Sequence, residues 1–152
     1  MFANTHHSPS SRSALPGGLY QQVGVESLLS GATPHQLVAM LFEGWMEAVA
    51  QARGAIRQGN PAAKGQAIGR AVRIIDEGLR AGLDLQAGGS LARDLHDLYG
   101  YLTRRLTIAN LRSDESALAE CQRLMLPLQE AWAAIGSTAQ AMQAAQASGQ
   151  RP

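Results

Sequence analysis

Apolar residues recur three and four positions apart along most of this chain, most regularly between Gly88 and Asn110. There Leu91, Leu95, Leu98, Leu102, Leu106 and Ala109 share one narrow stripe of a helix that turns roughly 100° per residue. Such a stripe is the seam of a helix packed against partners. Tyr101 and Ile108 lie on one flank of it and Tyr99 on the other, so the apolar arc is wider than one seam requires.

Three more segments carry the same period. A first helix starts at a strong signal, with Thr33 as cap, Pro34 at the first helical position and Gln36 completing a capping box. Its buried face is Leu37, Leu41, Trp45, Ala48, Ala52 and Ile56, and Gly59 stops it. Asn60 and Pro61 begin a second helix, with Ile68, Val72, Ile75, Leu79 and Leu83 in line and Ile74 and Leu85 to one side. Ser90 is the expected cap of the third helix. Ser113 and Asp114 form a turn before a fourth, which buries Leu118, Cys121, Met125, Leu128, Trp132 and Ile135. Pro127 interrupts that helix, where it removes one backbone bond and predicts a kink.

Loops of a few residues favour antiparallel neighbours, so the pattern predicts an all-α fold, an antiparallel up-down-up-down four-helix bundle. Residues 1–18 are rich in Ser, Pro, His and Gly with almost no aliphatic side chains, a composition that cannot offset the entropy of ordering, and they are expected to form a disordered lead. Residues 19–31 hold Leu19, Tyr20, Val23, Val25 and Leu28, an amphipathic piece too short to stand alone that must dock on something. The bundle ends at 136, and the Ala/Gln/Ser run 137–152 is expected to fray into a flexible tail.

At 152 residues the chain is about one domain, and its net charge of +1 comes from interspersed acids and bases. That balance gives no footprint for nucleic acid or an anionic membrane, so partners are met through apolar surface. A single cysteine, Cys121, rules out an intramolecular disulfide and suits a reducing compartment. No run of about 18 apolar residues suggests membrane insertion and no leader pattern is evident, so the cytoplasm is the simplest location.

Candidate chemistry is sparse. The Glu-x-x-His pairs of a bundle di-metal site are missing. His6 and His7 lie in the lead, and Asp94, His96 and Asp97 fall on the polar edge or back of the third helix. Cys121 sits at a core position, where a thiol is normally inert. Neither enzyme, metal nor cofactor is expected. Glycines inside helices, Gly44 above all, are candidates for close approach by a neighbour. The surplus apolar residues, Phe42 and Met46 on the first helix, Ile74 and Leu85 on the second, and Tyr99, Tyr101 and Ile108 on the third, predict a groove of the kind that receives an amphipathic helix.

The third-helix segment, with Gly88-Gly89-x-Leu91-Ala92, Leu98-Tyr99-x-Tyr101 and Arg104-Arg105-Leu106-x-x-Ala109-Asn110, resembles the FliS family of flagellin export chaperones. Pro34-His35-Gln36-Leu37, Met40 to Gly44, Ile74 to Leu79, Gly82-Leu83-Asp84 and Ala131-Trp132 are similar to the same family, collinear from about Tyr20 to Ile135. Glu43, Ser90, Asp94 and Pro127 depart from its commoner residues. The resemblance implies a cytoplasmic chaperone that binds the C-terminal segment of flagellin, prevents premature polymerisation and assists delivery to the flagellar type III export gate. It further implies that Leu19, Tyr20, Val23, Val25 and Leu28 cover part of the groove until cargo arrives and touch the gate protein FlhA; whether regulators such as the assembly factor FliW or the anti-sigma factor FlgM also bind is left open by the sequence. The protein would be a monomer or weak homodimer. The residues by themselves also admit a self-associating structural or regulatory bundle.

Overall fold

The computed structural model describes residues 31–149; the lead, the amphipathic piece from Leu19 to Leu28 and residues 150–152 lie outside them. Within that span the chain is all-helical: α1 Pro34–Arg57, α2 Pro61–Arg73 passing directly into a π-helical segment Ile74–Arg80, α3 Gly89–Arg112 and α4 Glu115–Gly149. No strand occurs among the described residues.

Local chemistry explains most of the boundaries. Thr33 Oγ1 accepts from the Gln36 amide at 3.1 Å, and the Gln36 side chain accepts from the Thr33 amide at 2.8 Å, so two orphan donors of the first turn are satisfied reciprocally. Asn60 accepts from the Ala63 amide, and Gly59 turns the chain at φ +66°, a value that favours glycine. Ser113 also takes a left-handed conformation. Asp114 then caps α4 by accepting from the amides of Ser116 and Ala117 and from the Ser116 hydroxyl.

One expected cap is corrected. Ser90 does not cap α3, which starts at Gly89 behind Gly88 with no side-chain cap bond. Asp84 instead accepts from the amides of Gln86 and Ala87, an Asx turn that competes with helix and shapes the connection before α3. The second helical run likewise stops at Arg80, so Leu83 and Leu85 belong to that connection and not to a helix.

The core is one cluster drawn from every helix: Leu41, Trp45 and Val49 of α1, Ile68, Ile75 and Leu79 of the second run, Leu102 and Leu106 of α3, and Leu118, Cys121 and Met125 of α4. Trp45, Ile75, Leu102, Leu106, Leu118 and Met125 are wholly buried. Along α4 burial falls from Met125 through the partly buried Leu128 and Trp132 to the exposed Ile135. The helix nonetheless continues to Gly149, past the expected end at 136, and every residue from 137 to 149 is exposed, as alanine-rich propensity without an apolar stripe allows. Pro127 lies on an exposed position inside that helix, so the carbonyl that its missing N–H leaves unpaired is within reach of solvent.

Ile74, expected to one side of the stripe, is buried: with Ile75, Gly78 and Leu79 of the π-helical segment it continues the inward face that Ala67, Ile68 and Ala71 begin on α2. Opposite it, a Cβ on Gly44 would stand 3.6 Å from Ile74 Cδ1, an ordinary packing distance, so no close approach demands glycine there.

The Cys121 thiol is buried and, through desolvation first of all, its pKa is pushed up to about 12. It is therefore expected to resist an aromatic disulfide reagent at pH 8 in the folded protein and to react at once in denaturant. Stoichiometric labelling of the native state within seconds would contradict this placement.

Three carboxylates are held below their usual range: Asp114 by the Ser116 hydroxyl and the Ala117 and Ser116 amides, Glu115 by Arg57 and then Arg53, and Glu120 by the Tyr101 hydroxyl and then Arg105. A carboxyl whose folded pKa is depressed contributes stability above its unfolded pKa and loses it as pH falls through the folded one. The melting temperature should therefore drop on acidification from the ordinary carboxylate range, about pH 4, downward. Solvent exposure keeps the effect modest. Asp114→Asn should flatten that acid limb; a variant whose melting temperature falls as steeply as the wild type's would remove Asp114 from the account.

Candidate functional site

At one end of the core the seams do not meet, and an apolar groove of about 370 Å³ remains between the helices. Helical spacing builds each wall. Val38 and Phe42 come from the first turns of α1; Leu91, Leu95 and Tyr99, each four apart, from the first turns of α3; Leu128, Ala131, Trp132 and Ile135 from α4. Leu79, the last buried residue of the π-helical segment, and Gly82 and Leu83 of the connection that follows close the remaining side. Phe42 and Tyr99 form a buried floor, whereas Leu91 at 67% and Ile135 at 57% exposure stand at the rim.

The α1–α4 edge of the groove is tied by a side-chain pair. The imidazole of His35 stacks on the Trp132 indole with ring centroids 4.7 Å apart and planes 2° from parallel. Trp132 Nε1–H donates to the His35 carbonyl at 3.0 Å. His35 Nε2 lies 2.7 Å from the Trp132 carbonyl; a carbonyl only accepts, so this nitrogen carries the proton. Gly136, one turn beyond Trp132, lies directly against the ring, and any Cβ there would collide with it.

Of the groove residues expected from the sequence, Phe42 and Tyr99 line this cavity. Tyr99 is 3% exposed, part of the floor and not of a surface flank. Ile74 is buried in the core, and Met46 packs partly buried against it. Leu85 is exposed in the connection before α3. Ile108 is half-buried near the far end of α3. Tyr101 stands apart from the groove: it donates to Glu120 of α4, whose other oxygen accepts from Arg105 at 3.2 Å. That carboxylate, by its hydrogen bond, raises the Tyr101 pKa.

Of the other wall residues, Leu79, Leu83, Leu91, Leu95, Leu128, Trp132 and Ile135 belong to the seams that periodicity predicts, whereas Val38, Gly82 and Ala131 do not. Periodicity identifies which positions face inward, and gives the same stripe for a closed seam and an open one. The His35–Trp132 pair, 97 residues apart in sequence, left no local signal at all.

Chemistry among the described residues is consistent with binding. No group of three or more His, Cys, Asp or Glu side chains that could hold a metal ion occurs among them, and none of their helices is long and apolar enough to cross a membrane. Asp94 and Asp97 are exposed, and His96 Nδ1 lies 3.7 Å from Asp97 at the surface. A channel walled almost wholly by carbon suits the apolar face of a guest helix. Fold and site together define an all-helical protein with an open apolar groove of the kind that fits a guest helix.

The sequence pattern of the family described as "Flagellar protein FliS" matches residues 17–139, and the chain belongs to that family. It is 48% identical to the flagellar secretion chaperone FliS of Salmonella typhimurium strain LT2, over 79% of this chain and 89% of that protein. It is 44% identical to the flagellar secretion chaperone FliSB of Pseudomonas aeruginosa, over 76% and 91% of the two chains. The Escherichia coli K12 flagellar secretion chaperone FliS is 42% identical over 74% and 83%. The resemblance drawn from the sequence motifs is thereby established, and this is a family of chaperones and not of enzymes.

Proposed function

We propose that this protein is a flagellar secretion chaperone that receives the C-terminal segment of flagellin in the groove between Phe42, Leu91, Tyr99 and Trp132, keeps it from polymerising and assists its delivery to the export gate. The observation that carries this reading is the open apolar seam in a chain of this family. A guest helix supplies the side chains that the seam lacks, and folding on the chaperone costs part of the binding energy, several kcal/mol or roughly that, which leaves the complex releasable.

The same reading places the protein in the cytoplasm, with its helices antiparallel in up-down-up-down order. Support comes from the short connections at residues 58–60 and 113–114 and from a groove that gathers the starts of α1 and α3 with the end of the second helical run. Residues 19–29, with Leu19, Tyr20, Val23, Val25 and Leu28, dock on the groove in the absence of cargo and contact FlhA once displaced. What supports this is position: the chain enters α1 one turn before Val38, at the groove's mouth. Met46, Ile74, Leu85, Tyr101 and Ile108 lie outside the groove and serve, where they contact flagellin, a longer path around the bundle; FliW or FlgM are further candidates for that surface.

Titration of the protein with a peptide from the flagellin C-terminus should give a one-to-one complex with a gain of helical circular dichroism. No heat of binding at tens of micromolar would reject the reading. Concentration-dependent dimers, indifferent to the peptide, would favour self-association through the same groove.

A further inference from the structure

We infer that the clasp formed by His35, Trp132 and Gly136 is a positioning device that fixes one wall of the groove for cargo. The inference rests on the groove reading above. Trp132 contributes its indole to the groove lining, and an indole can swing about two side-chain torsions into any apolar space beside it. Here both ends are held: the ring N–H by the His35 carbonyl, the π-face by the imidazole. The backbone of the same residue is held by His35 Nε2–H, so one residue of α1 fixes the Trp132 side chain and the helix that carries it. His35 reaches this position only because residue 136 has no side chain. Without the imidazole the indole keeps only its bond to the backbone carbonyl of residue 35 and can lean into the groove, so that cargo must first move it aside.

Gly136 supplies the test, because it opposes the clasp by sterics while His35 composes it. Gly136→Ala in the otherwise natural protein should displace the imidazole, lower the melting temperature and weaken flagellin-peptide binding about tenfold, the factor that loss of one well-formed polar contact carries. His35→Ala should weaken binding by a similar factor while far-ultraviolet circular dichroism stays unchanged. Placed on His35→Ala, Gly136→Ala should do no further harm and raise helix stability, since alanine exceeds glycine in propensity. The indole emission of His35→Ala should shift to the red as Trp132 loses its stacked partner; the chain's other tryptophan, Trp45, is wholly buried and gives a constant background.

Equal damage by Gly136→Ala in both backgrounds would overturn the clasp. Wild-type peptide affinity in His35→Ala, even with a lower melting temperature, would reduce His35 to a structural role and overturn the positioning inference alone. A wild-type protein that ignores the peptide would overturn the groove reading, and the inference with it.

Discussion

Leu91→Asp is expected to weaken flagellin-peptide binding by roughly a hundredfold or more while the protein melts at or slightly above the wild-type temperature. Two separate effects give the asymmetry. Unbound, Leu91 is two-thirds exposed at the groove rim, so its loss disturbs little packing, and a carboxylate in the first turn of α3 is favoured by the helix dipole. Under a bound helix the same position is covered. The complex then forfeits the burial of a leucine, about 1.5–3 kcal/mol, and must also strip water from an unpaired charge; about 2.7 kcal/mol already amounts to a hundredfold. Calorimetric titration beside a thermal melt reads both quantities. A variant that binds at full strength would show that cargo does not use the groove.

The largest stability effect is expected at the opposite end of the burial scale. Trp45 is wholly enclosed between the helices, so Trp45→Ala should cost about 3–5 kcal/mol through lost contacts and a residual cavity. That is a large part of the roughly 5–15 kcal/mol that keeps a domain of this size folded. Trp45→Phe should cost much less than its change in volume suggests, because Trp45 Nε1 is buried with no hydrogen-bond partner among the described residues, and phenylalanine removes that donor with no need for one. Urea titrations of the two variants should separate widely in midpoint. Equal midpoints would mean that the indole N–H has a partner after all.

Features decided within one turn of chain were readable before any coordinates. The Thr33–Gln36 box, the Asn60 and Asp114 caps and the stripe of Leu102, Leu106 and Ala109 each depend on residues three or four apart, and each is present. What escaped depends on chain that is distant, or on two local signals in competition. Asp84 takes the amides that a longer second helix would have used, which moves Leu85 off the helix. Ile74 faces inward because the buried face of the second run includes Ala67 and Ala71, small residues that a stripe drawn through Ile68, Val72, Ile75 and Leu79 does not count. The surplus apolar residues on the flanks of the helices divide: Phe42 and Tyr99 line the groove, Tyr101 is engaged by Glu120, and the unfilled space lies along the seam itself. Only the joint geometry of four helices determines where a seam stays open.

The groove's position at the start of α1 has a kinetic and thermodynamic corollary. The chain enters α1 one turn before Val38, at the groove's mouth, and a ligand joined to its site by a short linker acts at an effective concentration in the millimolar range. Free cargo in a cell must compete with that local supply. If Tyr20 and Leu28 dock there as proposed above, even a feeble self-contact would weigh on the occupancy of the site, and the span of chain between them and Thr33 would tune how readily a guest is accepted.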